Sequence, residues 1–356
     1  MPTNLRRDFI EGTFLDNELN PSFREADAVI FGAAFDGTAS YKKGTRFGSY
    51  AILDASHQIE YQPPFIRERL TDKVKINFAG ILDYPETSGL DEKRIEDVSR
   101  KAVKDTKDIA LEILRAKKLA VLLGGEHSIT NGSLEAIAEL FNPKDVTILH
   151  IDAHLDMRKA FEGLKYSHGS FMFNAIETGF KTVHVGIRDQ IGSGDAGGEA
   201  EYLDNKNLWG KIFFCATQPQ EYYDLFKLKQ RENLIFNGTL SEKQTSKIIS
   251  LIGTKYIHIT IDVDGFDPAF FPGTGTPLPH GLTLASGEYL LYRVLKHAKK
   301  KGINLLGFDI VETSPLIAAN AKSYSAQNTA STQTEMNAAL LVYKLLLWNY
   351  FERFLK

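Results

Sequence analysis

The stretch that decides the fold is Val146-Thr-Ile-Leu-His-Ile-Asp-Ala-His-Leu-Asp-Met-Arg158. It begins as an apolar run, which is typical of a strand buried on both faces of a parallel sheet. It ends in Asp152, His154 and Asp156, and alternate residues of an extended chain point to the same side. We expect these side chains to converge where the strand leaves the sheet, which is where open α/β sheets bind their ligands.

The D-x-H-x-D spacing favours a metal site over a polar turn. Three side chains of this type crowd together, and their carboxylates repel one another unless a cation holds them. The alternative is an ordinary polar turn, because Asp and His are common at strand exits. Two further motifs favour the metal site.

Two other apolar runs deliver residues of the same kind. Tyr256–Asp262 is followed two residues later by Asp264, and Leu119–Leu123 is followed by a Gly-Gly turn and His127. The predicted metal ligands are therefore His127, Asp152, His154, Asp156, Asp262 and Asp264. This set is too large for one tetrahedral zinc, and its many carboxylates favour a pair of manganese-like divalent ions. Water between two such ions is acidified and serves as the nucleophile of two-metal hydrolases.

Composition predicts an ordinary globular protein. The chain has 356 residues, of which 43% are hydrophobic and 24% charged, so it can build a large core. A formal net charge of −3 without a basic block argues against nucleic-acid binding. The single Cys215 excludes an internal disulfide and a thiolate metal site. No signal-type segment or bilayer-length apolar run is present, so we expect a cytoplasmic enzyme without a membrane partner.

Strand and helix patterns alternate along the chain. Strands are predicted near residues 28–35, 74–80, 119–123, 146–152, 182–186, 211–214, 256–262 and 303–311. Helices are predicted near 49–57, 92–117, 128–141, 171–178, 284–301 and 329–354, and residues 218–252 carry further helical patterns that are broken near Asn237-Gly238. Ser128 is the expected N-cap of the third helix. The alternation predicts an α/β fold with a mostly parallel sheet of about eight strands covered on both faces. No linker is visible, so residues 1–356 are expected to form one catalytic domain, with an arm over 1–27 and a C-terminal helix within 325–356.

Five motifs follow one another in a specific order. They are Gly124-Gly-Glu-His-Ser128, Asp152-Ala-His-Leu-Asp156, Ser167-His-Gly169, Asp262-Val-Asp-Gly-Phe-Asp-Pro268 and Gly273-Thr-Gly-Thr-Pro277. This set resembles the ureohydrolase family, which contains arginase and agmatinase. The resemblance implies a three-layer α/β/α, arginase-like domain, two Mn²⁺ ions and a homo-oligomer, usually a trimer or hexamer. Nickel or cobalt are alternatives, because the same ligands accept them.

The resemblance also implies roles for individual residues. His127, Asp152, Asp156 and Asp264 match the surroundings of one metal, and His154, Asp152, Asp262 and Asp264 match those of the other. His168 matches a proton-shuttling histidine, Glu312 matches the carboxylate that binds the guanidinium group, and Asp156 would accept a hydrogen bond from the bridging hydroxide. The implied reaction is hydrolysis of a guanidino carbon with release of urea. A loop histidine without a role and a helix-capping glutamate are the alternatives for His168 and Glu312.

The substrate is less sharply predicted. The loop at 157–168 and the run at 272–277 resemble the agmatinase branch, which implies agmatine as substrate and putrescine and urea as products. Guanidinobutyrate, aminopropylagmatine, arginine, guanidine and formimidoylglutamate are alternatives, as is an inactive family member acting as a subunit or binding protein. An inward-pointing Arg158 would favour a substrate that carries a carboxylate.

Three residues depart from the family pattern. Glu126 stands where the family often has Asp, beside a predicted ligand. Leu278 stands where agmatinases often have Glu, which removes a partner for an amine. His280 replaces a usual Gly, and it is either a substrate-binding residue that narrows the pocket or a surface loop residue.

Overall fold

A computed structural model of the chain describes residues 5–6, 13–16, 19–60, 69–192, 198–224, 231–315 and 333–350. The strands are β1 (Leu5–Arg6), β2 (Ala28–Ala34), β3 (Ile76–Asp83), β4 (Leu119–Leu123), β5 (Val146–Ile151), β6 (Lys181–Ile187), β7 (Ile212–Cys215), β8 (Leu234–Ile235), β9 (Tyr256–Asp262) and β10 (Asn304–Val311). The α-helices are α1 (Gly48–Ser56), α2 (Glu92–Arg115), α3 (Thr130–Leu140), α4 (Phe171–Thr178), α5 (Glu199–Lys206), α6 (Gln220–Asp224), α7 (Glu242–Leu251), α8 (Leu284–Lys301) and α9 (Gln333–Tyr350).

The strands form one ten-stranded sheet in the order β1-β3-β2-β4-β10-β9-β5-β6-β7-β8. The short strand β1 is antiparallel to β3, and every other pair is parallel. The strands β4, β10, β9 and β5 are therefore parallel neighbours at the centre of the sheet. Their carboxyl ends lie at the same edge, although they come from distant parts of the sequence.

Alternate residues of the central strands serve two separate hydrophobic cores. Ile30 and Leu149 belong to the core that contains residues of α1, α7, α8 and α9. Their neighbours Val29 and Ile148 belong to the core that contains residues of α2, α3, α4 and α5. Helices thus cover both faces of the sheet, and the predicted three-layer α/β/α fold is confirmed. None of the helices in the described ranges is long and apolar enough to cross a membrane.

The described elements differ from the predictions at their ends, and α5 has no predicted counterpart. The sheet has two strands more than expected, because β1 and β8 are two residues long and carry no readable pattern. Ser128 does not cap α3: a 3-10 turn over His127–Ile129 comes first, and the Ser128 hydroxyl donates to Glu126 at 2.5 Å. Residues 325–332 and 351–356 of the predicted C-terminal helix lie outside the described residues, and the one-domain assignment stays a prediction.

Candidate active site

The predicted metal ligands lie at the carboxyl ends of three central strands. β4 leads to His127, β5 leads to Asp152, and β9 ends at Asp262. The fourth central strand, β10, leads directly to Glu312. These residues come together because the sheet order places β10 and β9 between β4 and β5.

The Gly-Gly turn after β4 is required by close packing. A Cβ atom on Gly125 would lie 2.3 Å from the carbonyl oxygen of Phe35, and one on Gly124 would lie 2.8 Å from the Cα atom of Val311. Neither backbone atom can move aside as a flexible side chain could. The two glycines therefore let the chain turn tightly between β2 and β10 and bring His127 over the ends of the strands.

One group of side chains surrounds the imidazole of His127. Its Nδ1 atom lies 3.1 Å from Asp152 Oδ2, 3.4 Å from Asp156 Oδ2 and 3.4 Å from Asp262 Oδ2. All of these residues are buried. Burial acts to lower the pKa of His127, but the Asp152, Asp156 and Asp262 carboxylates close to its ring raise it well above its usual value. The group therefore attracts positive charge.

A second group surrounds His154. Its Nδ1 atom lies 3.2 Å from Asp264 Oδ2 and 3.4 Å from Asp152 Oδ1. Asp152 thus directs one carboxylate oxygen toward each histidine. The donor sets His127–His150–Asp152–Asp156 and Asp152–His154–Asp264 each bring ligand atoms within 4.8 Å of one another, close enough to hold a metal ion.

The hydrogen bonds of His127 fit a metal ligand. Its Nε2 atom lies 2.8 Å from the Thr260 hydroxyl, which itself donates to Asp309 at 2.5 Å. The Thr260 oxygen therefore accepts from Nε2–H, and the lone pair is left on Nδ1. The buried Nδ1 atom has no hydrogen-bond partner among the described residues. A nitrogen lone pair facing carboxylates is repulsive unless a cation lies between them, so these residues suit divalent metal ions.

The carboxylates perturb one another strongly. Burial, followed by the charge of Asp152, raises the pKa of Asp156 to about 6. Burial, followed by the charges of Asp264 and Asp152, raises the pKa of Asp262 well above its usual value. A bound cation would remove this repulsion.

Asp156 and Glu312 share a rare backbone conformation. Their φ angles are 53° and 60°, in the left-handed region that residues other than glycine seldom adopt. Such strain persists only where the surroundings enforce it, and it is concentrated at functional sites.

A cavity of about 190 Å³ opens beside the two groups. It is lined by Asp156, Asp262, Asp264, His154, His168 and Glu312, among others. Burial, followed by the charge of His154, lowers the pKa of His168 to about 4, so its ring is neutral near pH 7. Glu312 accepts a hydrogen bond from the backbone N–H of His127 at 2.8 Å, and burial, followed by the charge of Glu126, raises its pKa well above its usual value.

Arg158 lines the same cavity and so points inward. Its guanidinium lies 4.6 Å from the centre of the Phe161 ring, and its Nε atom lies 3.9 Å from Glu199 Oε2. Glu199, the first residue of α5, accepts hydrogen bonds from the backbone N–H groups of Met157 and Gly192 at 3.3 and 3.4 Å. The Arg158 guanidinium at the rim of the cavity is therefore already close to the Glu199 carboxyl group. No pattern in the sequence points to Glu199 as a site residue.

His280 lies at the surface, and its predicted role in substrate binding stays a prediction. This residue is exposed and is not among those that line the cavity. Its φ angle of 66° is one that glycine adopts freely, which explains the glycine usual at this position. The nearby carbonyl of Leu278 accepts a hydrogen bond from Arg188 at 2.6 Å. The surface-loop interpretation of His280 therefore describes its position.

His150 is a site residue that the sequence analysis missed. Its Nε2 atom lies 2.8 Å from Asp152 Oδ2, and its Nδ1 atom lies 3.0 Å from Nδ1 of the buried His184. The spacing of His150 and Asp152 could have indicated this role. His150 precedes Asp152 by two residues, so both side chains leave the strand on the same side. It was read as part of an apolar run.

Comparison with known proteins shows to which family the chain belongs. The sequence profile of the Arginase family matches residues 26–209 and 227–348. The chain belongs to the Arginase family. It is 28% identical to the N(1)-aminopropylagmatine ureohydrolase of Synechocystis sp., covering 94% of this chain and 92% of that relative. It is also 28% identical to the agmatinase of Bacillus cereus, covering 92% of this chain and 93% of that relative.

Solved structures share the fold. The proclavaminate amidino hydrolase from Streptomyces clavuligerus superposes with a TM-score of 0.69 at 24% identity, covering 98% of this chain and 99% of that one. The predicted membership of the ureohydrolase family, and with it the prediction of an enzyme, is confirmed. The roles of the individual site residues stay predictions.

Proposed function

We propose that this Arginase-family protein hydrolyses the guanidino group of a small substrate and releases urea, with agmatine as its substrate. The observation that carries the proposal is the position of Asp152. Its two carboxylate oxygens face His127 and His154 separately, beside a cavity that also contains Glu312. This arrangement suits a pair of cations next to a carboxylate that can bind a planar, positively charged group.

The side chains of this chain supply ligand atoms for two metal ions. Ions held by His127, Asp152, His154, Asp156, Asp262 and Asp264 would supply Lewis acidity and an acidified water when bound. We propose Mn²⁺ as the resident metal, with Ni²⁺ or Co²⁺ as alternatives, because oxygen-rich donor sets favour ions of the manganese type.

The remaining steps depend on side chains that line the cavity. Glu312 accepts paired hydrogen bonds from the guanidinium and orients its carbon toward the metal ligands. Asp156, which lines the cavity with Glu312, can take up a proton as the tetrahedral intermediate forms and return it to the departing amine. His168 is neutral near pH 7 and can carry the same proton to or from the cavity.

The charged side chains at the rim of the cavity bear on the part of the substrate that lies beyond the guanidino group. The relatives named agmatinase and aminopropylagmatine ureohydrolase support an amine-bearing substrate, as do the acidic residues Asp189 and Glu199 that line the cavity. The inward position of Arg158 favours a second candidate, a guanidino acid such as guanidinobutyrate. Its proximity to Glu199 weakens that candidate, because a nearby anion reduces the attraction for a carboxylate.

A screen for urea release tests the proposal. The Mn²⁺-loaded chain would be assayed with agmatine, aminopropylagmatine, guanidinobutyrate, arginine and guanidine. We expect the highest kcat/KM with agmatine. Release of urea only from guanidinobutyrate would replace agmatine by the second candidate, and no urea from any of these compounds would overturn the function. Light scattering would test the accompanying proposal of a homo-oligomeric trimer or hexamer.

A further inference from the structure

We propose that Thr38 and Glu126 position His168 by fixing which of its ring nitrogens carries the proton. In this arrangement Nδ1 holds the hydrogen, and Nε2 keeps the lone pair with which the ring accepts a proton. The consequence for catalysis rests on the proposed function, whereas the arrangement of the ring does not. Thr38 and Glu126 are thus positioning residues that act through His168.

Glu126 anchors Thr38 from a distant part of the chain. The Glu126 carboxylate is fully buried, and its Oε2 atom accepts the backbone N–H of Thr38 at 2.7 Å. Its Oε1 atom accepts the hydroxyls of both Thr38 and Ser128. Three donated hydrogen bonds converge on this carboxylate, so it acts as an acceptor toward Thr38.

The direction of the Thr38 hydroxyl decides the state of His168. Because this hydroxyl donates its hydrogen to Glu126, its oxygen can only accept from other groups. It accepts the backbone N–H of His168 at 3.1 Å, and the Nδ1 atom of the same residue lies 3.4 Å away. The Nδ1–H tautomer satisfies this contact, whereas a lone pair on Nδ1 would face a lone pair on oxygen. The chain Glu126–Thr38–His168 thus points every hydrogen toward the carboxylate.

The environment of His168 holds the ring in this orientation. The edge of the ring packs against Phe161, with centroids 5.1 Å apart and planes at 82°. Ala39 and Ser40, which follow Thr38 directly, line the same cavity as His168. The loop that carries Thr38 is therefore part of the cavity wall. The hydrogen bonds from Thr38 to Glu126 hold this loop in a fixed position relative to the His168 ring.

Substitutions at Thr38 and Glu126 separate hydrogen bonding from shape. Thr38→Val keeps the volume and removes the hydroxyl, whereas Thr38→Ser keeps the hydroxyl. Glu126→Gln keeps the shape but places an N–H₂ group toward the Thr38 oxygen, so that the hydroxyl must turn and donate to Nδ1. Thr245→Val is the matched control, because Thr245 is a buried threonine on α7 whose hydroxyl has no hydrogen-bond partner among the described residues.

The first measurement is a double-mutant cycle on urea release. We expect Thr38→Val to lower kcat by about 10- to 100-fold with a change in KM below about threefold, which is part of the roughly 10²- to 10⁴-fold that a positioned proton-transfer group contributes. In the His168→Ala background the same change should alter kcat by less than about twofold, because residues that act through one another are not additive. Thr38→Ser should restore most of the rate. Equal losses in both backgrounds would overturn the proposal.

The second measurement does not depend on turnover. Diethyl pyrocarbonate modifies the nitrogen that carries the lone pair, and peptide mapping of the full chain gives the rate at His168. We expect this rate to fall several-fold in Thr38→Val and Glu126→Gln, because the lone pair then moves to the covered Nδ1. It should stay near the wild-type rate in Thr38→Ser and Thr245→Val.

The two measurements distinguish the two proposals. If the wild-type chain releases no urea, the proposed function fails, and the modification rates still decide the arrangement of His168. An unchanged rate at His168 in both Thr38→Val and Glu126→Gln would overturn the inference even if the chain is an active hydrolase. Glu126→Gln keeps the test available if Thr38→Val does not fold.

Discussion

Asp152 is the residue at which the two halves of the candidate metal site meet. Its Oδ2 atom faces His150 at 2.8 Å and His127 at 3.1 Å, while its Oδ1 atom accepts the backbone N–H of His154 at 2.5 Å. Burial acts to raise the pKa of Asp152, but the surrounding histidines, led by His150, lower it well below its usual value. Asp152 is therefore held as an anion where the site needs charge.

The first prediction concerns the charge of Asp152. Asp152→Asn keeps the shape but removes the anion shared by both groups, so we expect loss of bound metal and a fall in urea release of at least about 100-fold. Elemental analysis of the desalted protein would measure the metal. Asp145→Asn is the matched control, since Asp145 precedes the same strand and pairs with Lys255 at the surface. A variant that keeps both metals would contradict the shared role of Asp152.

The second prediction concerns Glu312. Glu312→Gln replaces the paired charge-assisted hydrogen bonds to the guanidinium, each worth about 1.5–3 kcal/mol, by neutral ones worth about 0.5–1.5 kcal/mol each. We expect kcat/KM to fall about 10- to 100-fold with the metal content unchanged. Loss of metal together with activity would instead make Glu312 a part of the metal site. Glu242→Gln, at an exposed ion pair with Arg293, provides the comparison.

At the scale of elements, the active-site edge depends on close backbone contacts between α1, β4 and β10. Gly48 is the first residue of α1, and a Cβ atom there would lie 2.4 Å from the carbonyl oxygen of Thr313 and 2.8 Å from that of Gly124. Thr313 follows Glu312, and Gly124 begins the turn to His127. The helix therefore supports the two segments that deliver these site residues.

The third prediction follows from this contact. Gly48→Ala forces a methyl group against backbone, and overpacking of this kind lowers the free energy of unfolding by about 1–3 kcal/mol. We also expect lower activity, because the backbone beside Glu312 must shift. Urea denaturation would measure the stability. Gly253→Ala is the control, since a Cβ atom on Gly253 meets nothing within 4 Å; equal stability of the two variants would show that the contact at Gly48 relaxes freely.

At the scale of the whole molecule, the active-site end of the sheet concentrates groups whose pKa values are raised in the folded chain. These groups are His127, His154, Asp156, Asp262 and Glu312. Without metal, each binds a proton more tightly in the folded than in the unfolded state. The stability that they contribute is therefore lost as the pH rises through their folded pKa values.

Two buried histidines with lowered pKa values reduce the stability of the folded chain at lower pH. Burial lowers the pKa of His168 to about 4 and that of His184 well below its usual value. Both favour unfolding below the unfolded-state histidine pKa of about 6.5 and have no further effect above it. Above pH 6.5 these two histidines no longer oppose the effect of the groups with raised pKa values.

The fourth prediction is a difference between metal-free and metal-loaded protein. We expect the Tm in excess chelator to fall as the pH rises from about 6.5 to 8.5. With Mn²⁺ bound, the ligands stay deprotonated, so the Tm should be higher and nearly constant over the same range. Thermal unfolding at several pH values measures both curves. Parallel curves would mean that metal binding does not neutralise this cluster.

Much of the site could be predicted from local sequence. Asp152, His154 and Asp156 follow β5 with alternating spacing, and Asp262 ends β9 with Asp264 two residues later. An apolar run that ends in such residues carries both the strand and the ligand chemistry in one short segment. His150 shows the limit of this reasoning, because a histidine inside an apolar run gives no sign of which buried partner it meets.

The sequence by itself determined the buried parallel strands, the residues at their ends and the family to which they belong. Only the tertiary structure decided that β4, β10, β9 and β5 are neighbours, that Arg158 lies near Glu199, and that His280 faces solvent. The physical reason is the distance along the sequence over which each feature is determined. Periodicity and ligand spacing are set over a few residues, whereas strand order and the directions of loop side chains depend on packing between segments far apart in the chain.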